Sequence, residues 1–453
     1  MLLTVESAIL TRPSNLAELP LTALQTRWWF LCTAYPGGSS PLVGLVHRIR
    51  GPLDVDAWRR AIDTIVNRHE ILRTLFLDRG DGPVQIVGPA EGLPLEILDL
   101  RDVPAAQREQ AARDLLHDRR SLSLDLQQGP LVHSCLIQLG DEDFVWSMTI
   151  HHILSDGFSL AVIDRELAAL YPACRDGSPA EVAELTVQYG DFALWQSTSD
   201  TSKEEEDRAY WREQLASVPP LELKNSLPRP AQKGAPAAEI GYVIGDDLVR
   251  AIDALARATR CSRFVVLLAA LNVLLSRFSD QRDFCVGIPI AGIGRTRPEL
   301  AKLVGLFNNA LALRARLGDE QTFKDVLLGT RDVVFDALDH QDLPWGEVVA
   351  TVQAPHEPGR AQVFQAMFLH DDVEVASRLE LAGLVVEEFP LPIPRILHDI
   401  MVYARPARGG LGIRFVYDTA LFTPETMAAL GRDFEALLRE VAEEPACPAF
   451  PAR

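Results

Sequence analysis

The stretch 144–160, FVWSMTIHHILSDGFSL, decides how the chain is read. Its first seven residues alternate in the manner of a strand, with Phe144, Trp146, Met148 and Ile150 on one face and Val145, Ser147 and Thr149 on the other. If pairing runs to the end of the strand, His151 and His152 point in opposite directions, so one imidazole can face a core and the other a cavity. Ser155 and Asp156 are N-cap candidates for a helix starting at Gly157, because Leu160, Ile163, Leu167 and Leu170 recur at helical spacing. Gly157 permits a close backbone approach at the helix start. Two ligands on opposite faces of a strand cannot share one zinc ion, and no G-x-S-x-G elbow is present. What remains is a neutral imidazole acting as base or hydrogen-bond partner for a substrate nucleophile.

Outward from this stretch, 453 residues with 47% hydrophobic content exceed one ordinary core and suit two lobes of about 200 residues each. The net charge of −19, from 44 basic and 63 acidic residues, argues against a nucleic-acid partner. Six scattered cysteines with no C-x-x-C pair read as free thiols in a reducing cytosol, with neither zinc nor a disulfide framework. The N-terminus lacks the pattern of a signal peptide. The most apolar run, Phe264 to Leu275, is shorter than the roughly 20 residues of a membrane span and reads as a core helix capped by Ser262. Helical spacing runs through DVDAWRRAIDTIVNRHEILRT, and strands are predicted at 42–49, 82–88, 131–139, 144–150, 286–289, 310–315, 363–369 and 412–417. With no regular βαβ rhythm, the expected class is α+β. Residues 203–236, rich in proline, mark a connection, and the division is set as an N-terminal lobe over 1–180 and a C-terminal lobe over 181–453 that includes this connection.

His151-His152-Ile-Leu-Ser-Asp156-Gly157 resembles the HHxxxDG motif of the condensation domains of nonribosomal peptide synthetases, within the wider superfamily of chloramphenicol acetyltransferase. Further segments resemble other condensation motifs in the family's order: LTALQTRWWFL at 21–31, RHEILRTLF at 68–76, YGDFALWQ at 189–196, VGLFNNAL at 304–311, HQDLPWGEVV at 340–349 and GRAQVFQAMF at 359–368. Asn308 and Ala310 depart from the fifth motif, and the seventh lacks its usual serine. Heterocyclisation domains carry aspartate in place of the histidine pair, recruitment domains carry a degraded motif, and the characteristic segments of epimerisation domains are missing here. A condensation enzyme is favoured, either free-standing or an excised domain.

The resemblance implies two acetyltransferase-like lobes in a V-shaped pseudo-dimer with the active site at their interface, pinned by segments near 286–310 and 370–395. It implies acyl or aminoacyl transfer from a carrier-protein thioester to an amine or hydroxyl, giving an amide or an ester. Substrates arrive on the phosphopantetheine of donor and acceptor carrier proteins, and the chain itself binds no cofactor, metal, nucleic acid or membrane. His152 is the expected catalytic residue, and the Gly157 N–H is expected to face the developing oxyanion. His151, Asp156 and Arg295 are expected to be structural, with Arg295 reaching Asp156 from the C-terminal lobe. Ser155, Asn309 and Trp345 are candidates to line the substrate tunnel. Arg68, His69 and Arg73 are expected to hold a helix end, and Trp28 and Trp29 to belong to core or channel wall. Two other readings stand beside this one: an ester-forming acyltransferase acting on a free small-molecule alcohol, and a catalytically silent docking module.

Overall fold

The computed structural model describes residues 9, 11–13, 16–34, 42–120, 123–198, 202–224, 227–231, 235–292, 295, 297–355, 357–370, 379–391 and 395–450. Two compact units emerge, one of residues 1–200, 291–308 and 376–391, the other of residues 201–290, 309–375 and 392–453. This differs from a division at 180/181. The helix Tyr189–Thr198 packs within the first unit, where Asp191 accepts from Arg12 and the Tyr189 ring meets Phe307. Residues 291–308 also join the first unit although both flanking strands belong to the second.

Among the described residues, the first unit is built on a five-stranded sheet in the order Val385–Glu388, Leu42–Arg50, Asp143–His151, Val132–Gly140, Leu95–Asp99. The strand Asp143–His151 is central, antiparallel to both neighbours, and buried on both faces. Its alternation sorts as the sequence suggests. Phe144, Trp146, Met148 and Ile150 enter the main core with the helix Val55–Arg68 and the helix Gly157–Asp176, while Val145 packs with Ala112 and Leu116 of the helix Ala105–Arg120 on the reverse face. Trp58 meets Trp146 edge-on at 5.2 Å and Tyr171 at 5.4 Å, locking two helices onto the sheet. The helix Val55–Arg68 starts where Asp54 accepts from the Ala57 N–H at 2.9 Å. A separate three-stranded sheet joins Glu18–Pro20, Pro83–Val87 and Thr74–Asp78.

The second unit carries a six-stranded mixed sheet in the order Asn309–Arg316, Asp283–Ile290, Ala366–His370, Ile400–Ala407, Gly410–Asp418, Ala237–Gly245. The apolar run expected to be a core helix is the helix Arg263–Ser279, capped by Ser262 and buried along its length from Val265 to Ser276. The helices Phe323–Asp339 and Pro424–Glu443 add to the same core. Among the described residues no single helix is long and apolar enough to cross a membrane. The α+β class therefore holds, with sheets and helices in each unit.

Candidate active site

The strand Asp143–His151 ends on the first histidine, and the second begins a three-residue turn before the helix Gly157–Asp176. His151 is fully buried. Its Nδ1 accepts from the Ile153 N–H at 3.1 Å, which leaves the proton of a neutral ring on Nε2, 3.7 Å from the Cys32 sulfur. Burial, with a smaller push from the charge of His152, lowers the His151 pKa to about 3. Burial also raises the Cys32 thiol to about 11. Two neutral groups therefore face each other, and no thiolate-imidazolium nucleophile forms here.

His152 is held differently. Its Nδ1 lies 2.7 Å from the Ser155 carbonyl oxygen, an acceptor, so Nδ1 carries the proton and Nε2 of the neutral ring keeps its lone pair. Trp28 of the helix Ala23–Ala34 covers one face of the ring, with centroids 5.1 Å apart and planes inclined by 30°. The ring is only partly buried. Tautomer and orientation are thus set by a backbone carbonyl, where a triad would use a carboxylate.

Asp156 is the organising group. It is fully buried and caps the helix: Oδ1 accepts from the Ser159 N–H at 2.8 Å, and Ser159 completes a capping box with the Asp156 N–H. The same oxygen accepts from Arg295 Nη2 at 3.0 Å, and Oδ2 accepts from the backbone N–H groups of Phe307 and Asn308 at 3.0 and 3.1 Å. Arg295 also donates to the Leu303 carbonyl at 2.9 Å and lies over the Phe307 ring at 4.9 Å. The Asp156–Arg295 pair forms as expected, with one correction. Arg295 belongs to the first unit, because residues 291–308 pack there, so the pair is internal to that unit.

Four side chains hold residues 304–308 against this core. Ser159 Oγ donates to the Gly305 carbonyl at 2.8 Å and Tyr189 Oη to the Leu306 carbonyl at 2.8 Å, while His69 Nδ1 accepts from the Val304 N–H at 3.3 Å. Asp156 supplies the fourth. His69 Nε2 in turn lies 3.1 Å from Glu166, which also accepts from Arg68, so RHEILRT ties helix to helix. Gly305 permits this approach: a Cβ there would sit 2.1 Å from the Tyr189 ring.

Gly157, the first residue of its helix, is exposed, and a Cβ added to it would meet nothing within 4 Å. The space where a side chain would stand is open, and a first-turn N–H has no partner within the helix. Ser155 is fully buried with its hydroxyl unpartnered, while its carbonyl orients His152. In the second unit Asn309 donates to the Gln341 and Leu343 carbonyls at 3.0 and 2.8 Å and accepts from the Trp345 N–H at 2.8 Å. Trp345 is buried against Phe364 at 4.9 Å. Asn309 and Trp345 are thus brought together as the clamp of one loop.

Sequence reasoning missed Ser159 and Tyr189 as supports. Ser159 had a signal, since Asp-x-x-Ser is a capping-box spacing, whereas Tyr189 had none before its motif was placed against residues 304–308. Among the described residues no three His, Cys, Asp or Glu side chains gather to hold a metal ion.

A comparison with protein families matches the condensation domain over residues 15–449. A linear gramicidin synthase of Brevibacillus parabrevis is 35% identical over 432 residues, which is 94% of this chain and 6% of that protein. The chain spans 6% to 8% of the length of the three linear gramicidin synthase proteins it matches. Among solved structures, the X-domain from teicoplanin biosynthesis superposes with a TM-score of 0.85 at 26% identity, covering 98% of this chain and 99% of that one. The complex of that X-domain with OxyB matches with a TM-score of 0.82 at 26% identity, covering 98% and 97%.

Proposed function

The chain belongs to the condensation-domain family, and on that premise we propose that it transfers an acyl or aminoacyl group from a carrier-protein thioester to an amine or a hydroxyl, forming an amide or an ester. The observation that carries the reading is the hydrogen bond from His152 Nδ1 to the Ser155 carbonyl, which leaves the lone pair of the neutral, partly buried ring on Nε2.

In this reading the acceptor heteroatom attacks the thioester carbonyl while His152 Nε2 takes or positions its proton, a role typically worth about 10²–10⁴-fold in rate. The negative charge that develops on the carbonyl oxygen faces the Gly157 N–H and the positive end of the helix Gly157–Asp176. The carbon–sulfur bond then breaks, and the phosphopantetheine thiol leaves with the proton that His152 held. His151 stays neutral and supports the turn, while Asp156 and Arg295 act only by holding it. Donor and acceptor carrier proteins are the proposed partners, and phosphopantetheine belongs to them. The six free thiols suit work in a reducing cytosol.

A recruitment role is the second reading, favoured by the likeness to a domain solved in complex with OxyB. The test is to load a radiolabelled acyl group onto a phosphopantetheinylated carrier protein and offer an amine or alcohol acceptor. Enzyme-dependent transfer supports catalysis. No transfer from a panel of carriers, together with tight binding of a second protein, supports recruitment.

A further inference from the structure

The hydrogen bond from His152 Nδ1 to the Ser155 carbonyl, at 2.7 Å, holds one atom of the ring. The last torsion of a histidine side chain is broad, and a ring pivoting about that one bond would carry Nε2 away from the point where the acceptor proton has to be met. The ring is only partly buried, so packing on all sides does not hold it either. Its plane needs a second constraint.

The helix Ala23–Ala34 supplies one. Leu24, Trp28 and Cys32 recur at every fourth residue, share one partly buried stripe of the helix, and leave Gln25 and Trp29 to the core beside it. Trp28 lies over the His152 ring with centroids 5.1 Å apart and planes inclined by 30°, within the favourable range for offset rings. One helical turn further on, the Cys32 sulfur lies 3.7 Å from His151 Nε2. Nδ1 of that neutral ring accepts from the Ile153 N–H, so Nε2 carries the proton and the sulfur accepts it. Two residues on one helix face thus touch the two adjacent histidines.

The helix is itself anchored. The Thr22 hydroxyl accepts from the Gln25 N–H at 3.2 Å while the Gln25 side chain accepts from the Thr22 N–H at 2.9 Å, a reciprocal cap. The Ala23 N–H donates to Gln196 at 3.1 Å. Tyr189 gives its proton to the Leu306 carbonyl, so the Thr22 hydroxyl is the donor to Tyr189 Oη, at 3.0 Å. The helix is therefore tied to the same residues, 304–308, that Asp156 holds against its own helix, and Trp28 reaches His152 from a fixed platform.

We propose that Trp28 is a positioning residue for the transfer step: its indole sets the plane of the His152 ring and so aims Nε2, while Cys32 holds the helix in register through His151. The effect on rate rests on the transfer reading above, whereas the placement of the ring does not. A Trp28 that only walled the site would behave differently, since its loss would weaken acceptor binding whether or not His152 were present.

Ring placement is read without substrate, by NMR of the full chain carrying ¹³C-labelled histidine, with the His152 signals assigned from His152→Ala. In the wild type the His152 ring protons should lie upfield, shielded by the indole, and should cross-relax with it. Trp28→Leu should move them toward their values in free histidine, and Trp28→Phe should keep most of the shift. Turnover is then compared on a carrier thioester and an alcohol that the wild type uses. Trp28→Leu should lower kcat about ten-fold with KM nearly unchanged, and Trp28→Phe should restore most of the rate. In a His152→Ala background the Trp28→Leu substitution should cost nothing further, because it acts through that ring. If Trp28→Leu does not fold, the cross-relaxation in the wild type decides. Unmoved ring protons, no cross-relaxation in the wild type, a rise in KM alone, or an undiminished loss in the His152→Ala background would each overturn the proposal. A wild-type protein whose ring signals behave as expected but which transfers nothing refutes the catalytic reading and leaves the placement of the ring by Trp28 standing.

Discussion

Arg295 Nη2 and Asp156 Oδ1 meet at 3.0 Å inside one compact unit, with Asp156 wholly buried and Arg295 nearly so. The carboxylate accepts four hydrogen bonds, from the Ser159 N–H, Arg295, and the N–H groups of Phe307 and Asn308. One residue therefore caps the helix that starts at Gly157 and holds residues 307–308 against it.

Asp156→Ala should destabilise the fold and lower activity together. Removing one partner of a buried pair leaves the other charged and unpaired, typically at a cost of about 3–5 kcal/mol. Urea denaturation and transfer rate, measured on the same preparation, check this. A variant as stable as the wild type but inactive would point to a direct role for Asp156 in the reaction.

Gly157→Ala separates backbone chemistry from packing. A methyl group there meets open space, so the melting temperature should stay the same or rise slightly, alanine being the better helix residue. Transfer should nevertheless slow by about ten-fold or more if substrate must come close to that N–H. Unchanged turnover would remove Gly157 from the oxyanion site.

Gly305→Ala should behave in the opposite way. The new methyl would stand 2.1 Å from the Tyr189 ring, an overpacking that typically costs about 1–3 kcal/mol. The double variant Gly305→Ala with Tyr189→Leu should recover part of the loss, as a double-mutant cycle would read it. Additive losses would mean that the contact is not the cause.

His151 should make the protein acid-sensitive. Its folded pKa of about 3 lies below the ordinary value near 6.5, so between these limits the unfolded chain binds a proton that the folded one refuses. Stability should therefore fall with pH from about 6.5 toward 3, by up to roughly 1.4 kcal/mol per unit from this group. His151→Gln should flatten that part of the stability profile. An identical pH slope in wild type and variant would show that His151 is not the group responsible.

Much of the site was legible because its signals are local. The alternation through 144–150, the cap at Asp156 and the helical spacing from Leu160 to Leu170 follow from the periods of strand and helix, and the structure has all three. The Asp156–Arg295 pair lies 139 residues apart in the chain, and only the family resemblance brought the two together. The placement of 291–308 was not legible, since nothing in its composition reveals that it leaves the unit of its flanking strands. The saturation of Asn309 by Gln341, Leu343 and Trp345 was equally hidden, because it depends on a fold-determined contact across more than 30 residues.

The central claim is that His152 acts on the acceptor through a lone pair fixed by the Ser155 carbonyl. Its most direct test is single-turnover transfer from an acyl-carrier thioester to an amine and to the matched alcohol, comparing wild type with His152→Ala. The variant should fold and bind the carrier as the wild type does, because an interaction made mainly in the transition state lowers rate without weakening ground-state binding. Transfer to the alcohol should fall about 10²–10⁴-fold, and transfer to an amine that is already neutral should fall less. Near-wild-type rates on both acceptors would contradict the claim.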